Sequence, residues 1–172
     1  NLCGVTKIIK VGGIQAIAGL TFGTKSIPQV YKIFGPGNQF VTTAKQMVQK
    51  EGLAIDMPAG PSEVAVYADQ TANPAFIASD LLSQAEHGSD SQVILISTSS
   101  AIIEQTMAEI TAQLAELPRK DLAEKALSNS KFVLVNTSAE AIDLLNEYAA
   151  EHLILACDNA EVFANHIRNA GS

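Results

Sequence analysis

Apolar positions along the chain follow two rhythms that take turns. Short β-branched and aliphatic runs at Lys7–Val11, Tyr31–Phe34, Ala54–Met57, Val64–Ala68, Gln92–Ser97, Lys131–Val135 and Leu153–Cys157 predict strands. Between them, apolar residues recur every three or four positions. That spacing predicts helices over Ile14–Phe22, from Asn38 onward, from Asn73 to about His87, and over Ala101–Leu117, Asp121–Leu127, Ala139–Ala149 and Ala160–Ala170. Strands alternating with helices predict an α/β fold of mostly parallel sheets with flanking helices.

Helix and strand boundaries carry the expected residues. Gly12-Gly13 breaks the first run and Gly35-Pro36-Gly37 ends the second. Asn38 can cap a helix whose apolar face is Phe40, Val41, Ala44, Met47 and Val48. Asn73-Pro74 suits a helix start, Gly88 a helix end, and Pro118 follows another. The stretch Pro58-Ala59-Gly60-Pro61-Ser62-Glu63 is the best boundary candidate, dividing the chain into 1–62 and 63–172. No internal repeat, heptad or low-complexity tract is present.

Bulk composition narrows the function classes. A length of 172 residues suits one domain or two small ones, and 47% hydrophobic with 17% charged residues implies a large buried fraction rather than disorder. A net charge of −7 without any Lys/Arg cluster argues against nucleic acid as a partner. No uncharged apolar run reaches the roughly 18 residues of a membrane span, and no signal-peptide pattern opens the chain. Cys3 and Cys157 sit in apolar, strand-like surroundings and read as reduced thiols of a cytoplasmic protein, with a disulfide between them left open. The chain starts at Asn1-Leu2-Cys3-Gly4 without Met and stops at Ala170-Gly171-Ser172, which reads as an internal piece of something longer.

Three places hold polar residues that packing does not demand. In Ser79-Asp80-Leu81-Leu82-Ser83-Gln84-Ala85-Glu86-His87-Gly88, Gln84 and His87 are three apart and share a helix face, with Asp80 one turn earlier. Imidazole beside an oxygen donor suits zinc, but a capped, solvated helix end is the commoner meaning of this spacing. Glu151-His152 lies at the mouth of a strand. Imidazole titrates near neutral pH, so His152 is placed for general-base work, but from the pair alone a strand-start histidine that merely hydrogen-bonds nearby backbone is the commoner meaning. Gly12-Gly13-Ile14-Gln15 and Gly35-Pro36-Gly37-Asn38 each follow a strand and open a helix, where backbone N–H groups can hold an anion. Neither is G-x-G-x-x-G, and glycine after a strand is also ordinary turn chemistry. His166 reads as a surface or packing residue of the last helix.

As one ordered set these segments resemble histidinol dehydrogenases. The set comprises Val11–Ala18, Lys32–Asn38, Ile55–Glu63, Ala78–Gly88 and Glu151-His152-Leu153, and the resemblance covers the whole chain. It implies two Rossmann-like domains, each incomplete here. Residues 1–62 would be the later half of the nucleotide-side domain. Residues 63–172 would be the returning part of the other domain, carrying the zinc-site helix and the catalytic Glu-His pair.

The resemblance further implies a cytoplasmic, homodimeric NAD-dependent oxidoreductase with one zinc per subunit. Its expected reaction is the two-step oxidation of L-histidinol, through L-histidinaldehyde, to L-histidine at the end of histidine biosynthesis. Gln84 and His87 match two zinc ligands that also hold substrate, and Ser62 matches a substrate contact. Gln15 and Asn38 match NAD contacts. Glu151 and His152 match the catalytic pair, His152 as the base that also touches substrate and Glu151 as the group that activates water. The family's remaining zinc ligands are an Asp and a His from later in the chain, the His given by the partner subunit, and a further NAD-contacting Tyr lies earlier than residue 1. Two other readings stay open. One is a related enzyme for another polar alcohol, and the other is a domain that only folds and self-associates.

Overall fold

The computed structural model describes residues 2–56 and 63–172. The expected boundary after Ser62, and Ser62 itself, lie outside the described residues. The chain divides into two compact units, Asn1–Gly60 and Pro61–Ser172.

The first unit contains helix α1 (Gly13–Phe22), strand β1 (Lys32–Ile33), helix α2 (Gln39–Lys50) and strand β2 (Ala54–Ile55). The two strands pair in parallel, Lys32 opposite Ala54 and Ile33 opposite Ile55. Ile17, Ile33, Val48 and Leu53 make the small core. Asn38 caps α2 as its side chain predicts, its Oδ1 accepting from Phe40 N and Val41 N at 3.1 Å each. The apolar face expected for α2 is split: Val48 is buried, while Phe40 and Met47 are exposed. Lys7–Val11, expected as a strand, is not one. A strand needs a neighbour to satisfy its backbone, and among the described residues none pairs with this run; Ile8 stands 83% exposed.

The second unit holds strand β3 (Glu63–Ala68), helix α3 (Pro74–Ala85), strand β4 (Gln92–Ser97), helices α4 (Ser100–Leu114) and α5 (Lys120–Ser128), strand β5 (Lys131–Leu134), helix α6 (Ser138–Tyr148), strand β6 (His152–Ala156) and helix α7 (Ala160–Ala164). Its sheet runs β5-β4-β3-β6 with every neighbouring pair parallel. Successive side chains of a strand point to opposite faces, and both faces here are covered. Val64, Val66, Val93 and Leu95 join Ile77, Leu81, Ile102 and Ala123 in one core layer under α3, α4 and α5. Ala65, Tyr67, Ile94 and Ile96 join Ala141, Leu145 and Phe163 in the other. Tyr67 stacks on Phe163 with ring centres 4.1 Å apart, which docks α7.

The helix expected over Ala160–Ala170 ends at Ala164. Tertiary hydrogen bonds replace the helical ones beyond it. The Asn146 carboxamide accepts from Arg168 N at 2.6 Å and donates to His166 O at 3.0 Å. The chain then turns so that Gly171 N reaches Ala150 O at 3.1 Å and Leu153 N reaches Ser172 O at 3.0 Å. His166 is exposed and lies past that helix, not in it. Cys3 is exposed in a turn rather than strand-like; Cys157 directly follows β6, and both thiols are free. No described helix is long and apolar enough to cross a membrane.

Candidate active site

In the second unit α3 connects the end of β3 to the start of the parallel strand β4, so its carboxyl end returns to the edge where the strands begin. That edge collects Gln84 from the last turn of α3 and His152 as the first residue of β6, opposite Val64 of β3. Asp80, Ser83, Gln84, His152 and Ser172 line one cavity of about 250 Å³ there. Open α/β sheets usually bind ligands at the carboxyl ends of their strands. This cavity lies at the opposite edge, and two local features put it there. Asn73 Oδ1 caps α3 at Ala75 N, which sets where the helix starts and therefore where Gln84 emerges. Ala149 closes α6 in the left-handed conformation at φ 54°, the single non-glycine with positive φ among the described residues. Such a conformation costs roughly 1–2 kcal/mol. It swings the chain sharply into Ala150-Glu151-His152.

Gln84 is buried and His87, just past the end of α3, is exposed. Gln84 Nε2 lies 3.4 Å from His87 Nδ1. A carboxamide can be turned over to present its oxygen at the same place. Two donors of a tetrahedral zinc, each about 2.0–2.1 Å from the metal, lie about 3.4 Å apart. The pair therefore fits two corners of a zinc site. Among the described residues no group of three or more His, Cys, Asp or Glu gathers to complete one. Asp80, one turn before Gln84, faces the same cavity, and burial raises its carboxyl above the usual carboxylate range.

Glu151 and His152 are both about half exposed, with His152 Nε2 3.8 Å from Glu151 Oε1. On the other side of the ring, His152 Nδ1 lies 2.8 Å from Ser172 Oγ. Nearby, Tyr148 donates its hydroxyl to Gln92 Oε1 at 2.8 Å. Burial, with the charge of Glu63 second, pushes its pKa up to about 12, so this phenol is a donor and not a base.

In the first unit the expected cofactor residues stand at the starts of two helices. Gln15 is in the first turn of α1, which has no side-chain cap, and an uncapped N-terminus can receive an anionic group. Gln15 also lines an apolar groove of about 870 Å³ together with Ile14, Phe22, Phe40 and Met47. Asn38 begins α2, beyond the carboxyl end of β1, the usual place for a nucleotide. A side chain at Gly37 would collide with Val41, so only glycine lets the loop pass there.

Sequence reasoning missed the support under this loop. Lys45 is buried on α2, pairs with Asp56 and donates to Gly35 O at 2.9 Å. Asp56 Oδ2 accepts from Gly35 N at 2.8 Å, so both ends of the Gly35 residue are held. The N–H of Gly35, and then the Lys45 ammonium, hold the Asp56 carboxyl below its usual range. A lysine among Val41, Ala44 and Val48 on an otherwise apolar face was the available signal. Asp80 shares the face of Gln84 in the sequence pattern, but nothing local signals its partial burial, and Ser172 carries no signal at all.

A parallel sheet covered by helices on both faces defines a Rossmann-like α/β protein, with a Gln-His pair at a helix end and a histidine at a strand start at one edge of the sheet. The histidinol dehydrogenase family profile matches residues 1–172, and the chain belongs to that family. It is 58% identical over 172 residues to the histidinol dehydrogenase of Bacteroides thetaiotaomicron, covering 100% of this chain and 40% of that protein. It is 53% identical over 174 residues to the histidinol dehydrogenase of Yersinia pestis, covering 39% of it. The crystal structure of histidinol dehydrogenase from Elizabethkingia anophelis superposes with a TM-score of 0.93 at 55% identity, over 98% of this chain and 39% of that one. Gamma-glutamyl phosphate reductase from Thermotoga maritima, at 11% identity and a TM-score of 0.52, shares the fold alone. The chain thus spans about 40% of the length of the curated relatives it matches.

Proposed function

We propose that this chain forms part of an NAD-dependent, zinc-containing, cytoplasmic enzyme that oxidises L-histidinol through L-histidinaldehyde to L-histidine. The observation that carries the reading is the cavity at the amino edge of the second unit's sheet. It joins His152, a base, to Gln84, which touches His87. In this reading His152 Nε2 takes the proton of the substrate hydroxyl while the carbinol carbon gives up its hydride. Glu151, beside the ring, takes a proton from the water that adds to the aldehyde, and His152 serves again in the second oxidation. Gln84 and His87 hold zinc, with Ser62 and His152 also touching substrate. Gln15 and Asn38 hold the cofactor at the helix starts of the first unit. Bound zinc would fix the substrate as a Lewis acid without redox change, and bound NAD would accept the hydride. The other zinc ligands and the homodimer partner belong to the longer protein.

The test is NADH formation by the full-length protein with L-histidinol and NAD, with zinc content measured alongside. The expected result is two NADH per L-histidine formed and one zinc per subunit. A zinc-loaded protein that leaves L-histidinol untouched while oxidising another polar alcohol would overturn the substrate. The 172-residue chain by itself is expected to be inactive, since Gln84 and His87 are two donors where zinc takes four.

A further inference from the structure

Resting on the reading of His152 as base, we propose that Ser172 is a positioning residue that selects the tautomer of His152 and so leaves Nε2 free to accept a proton. Three groups meet in a chain. His152 Nδ1 lies 2.8 Å from Ser172 Oγ, and Ser172 Oγ lies 3.3 Å from the backbone oxygen of Glu151. A hydroxyl has one proton to give. A carbonyl oxygen can only accept, and the hydroxyl stands in donor geometry to Glu151 O. With its proton there, Ser172 Oγ is left as an acceptor, and its partner in this arrangement is Nδ1–H. The opposite arrangement, with Ser172 donating to Nδ1, would leave Glu151 O without that partner.

The hydroxyl is held there by backbone rather than by chance rotamer choice. Among the described strands β6 pairs with β3 alone, and the backbone of Gly171 and Ser172 runs along its start on the other side. Gly171 N donates to Ala150 O at 3.1 Å and Leu153 N to Ser172 O at 3.0 Å, one on each side of the Glu151-His152 pair. The approach is close enough that a Cβ on Gly171 would stand 2.6 Å from Glu151 O. Ser172 also lines the same cavity as His152 and Gln84. When the substrate hydroxyl gives its proton to Nε2, the ring becomes a cation with both nitrogens protonated. Nδ1–H remains bonded to Ser172 Oγ throughout, and the electron pair leaves the carbinol carbon as hydride, for which bound NAD would be the acceptor. Ser172 gains and loses nothing; it fixes the ring.

The experiment uses the full-length protein. Ser172→Ala should lower kcat about three- to tenfold, the worth of one neutral hydrogen bond, with KM for L-histidinol moved less than about twofold. Ser172→Thr keeps the hydroxyl and should restore kcat. Gly171→Ala keeps the hydroxyl but pushes the segment off Glu151 O, and should reproduce the Ser172→Ala loss. Nitrogen-15 chemical shifts of His152 in the unsubstituted protein should show the proton on Nδ1. Full kcat in Ser172→Ala, or a neutral ring protonated on Nε2, would overturn the proposal. If the unsubstituted protein does not oxidise L-histidinol, the functional reading fails by itself, and the nitrogen-15 measurement still decides the tautomer.

Discussion

Replacing His152 by Asn in the full-length protein separates chemistry from folding, because of where the residue stands. Its side chain is 51% exposed at the first position of β6. No core side chain is removed, so the loss of fold stability should stay near the ~0.5–1.5 kcal/mol of its hydrogen bond to Ser172. General-base assistance is worth about 10²–10⁴-fold in rate, which is roughly 3–5 kcal/mol of barrier. The two magnitudes differ enough that a rate loss of this size cannot come from partial unfolding. The residues proposed to hold zinc are separate: Gln84 and His87 touch one another and neither hydrogen-bonds to His152. His152→Asn should therefore keep its zinc and its thermal midpoint within a few degrees. It should lose about 10²–10⁴ in kcat with either L-histidinol or L-histidinaldehyde as substrate. The assay is steady-state NADH formation with metal analysis of the same samples. A variant that loses zinc and regains its rate when zinc is restored would make His152 a ligand and refute the role given to it.

Glu151→Gln should slow the aldehyde step far more than the alcohol step, since only the former needs water; accumulation of L-histidinaldehyde in single-turnover mixtures checks it. Leu81→Ala removes a fully buried side chain from the layer between α3 and the sheet, one turn before Gln84. It should cost about 3–5 kcal/mol in denaturant unfolding and lower zinc occupancy as the helix end loosens. Asp56 is held below its ordinary value of 3.8, first by Gly35 N–H and then by Lys45. Its contribution is therefore complete above that value and is lost as pH falls below it toward the folded value, because the unfolded chain binds the proton first. Asp56→Asn should flatten the acid limb of the first unit's stability, read from hydrogen exchange at Gly35 N–H, and an unchanged acid limb would remove the clamp as its cause.

The sequence by itself determined the alternation of elements and the identity of the family. Val64–Ala68 and Gln92–Ser97 were legible as strands because a parallel sheet covered on both faces demands unbroken apolar runs. Asn38 and Asn73 were legible as caps because capping is a local exchange between a side chain and the next turn. Gln84 and His87 were legible as neighbours because the last turn of α3 and the turn that follows it keep a three-residue spacing on one side. Whatever depends on a distant partner was not legible. Lys7–Val11 has strand composition but no neighbouring strand among the described residues, and the stretch 165–170 has helical spacing but yields its backbone to Asn146. The clamp on Gly35 joins residues 10 and 21 positions away, and Ser172 reaches His152 across 20. Local rhythm encodes which residues share a face, whereas only the closed tertiary structure decides which faces meet. The cavity at the amino edge of the sheet is a product of that second decision.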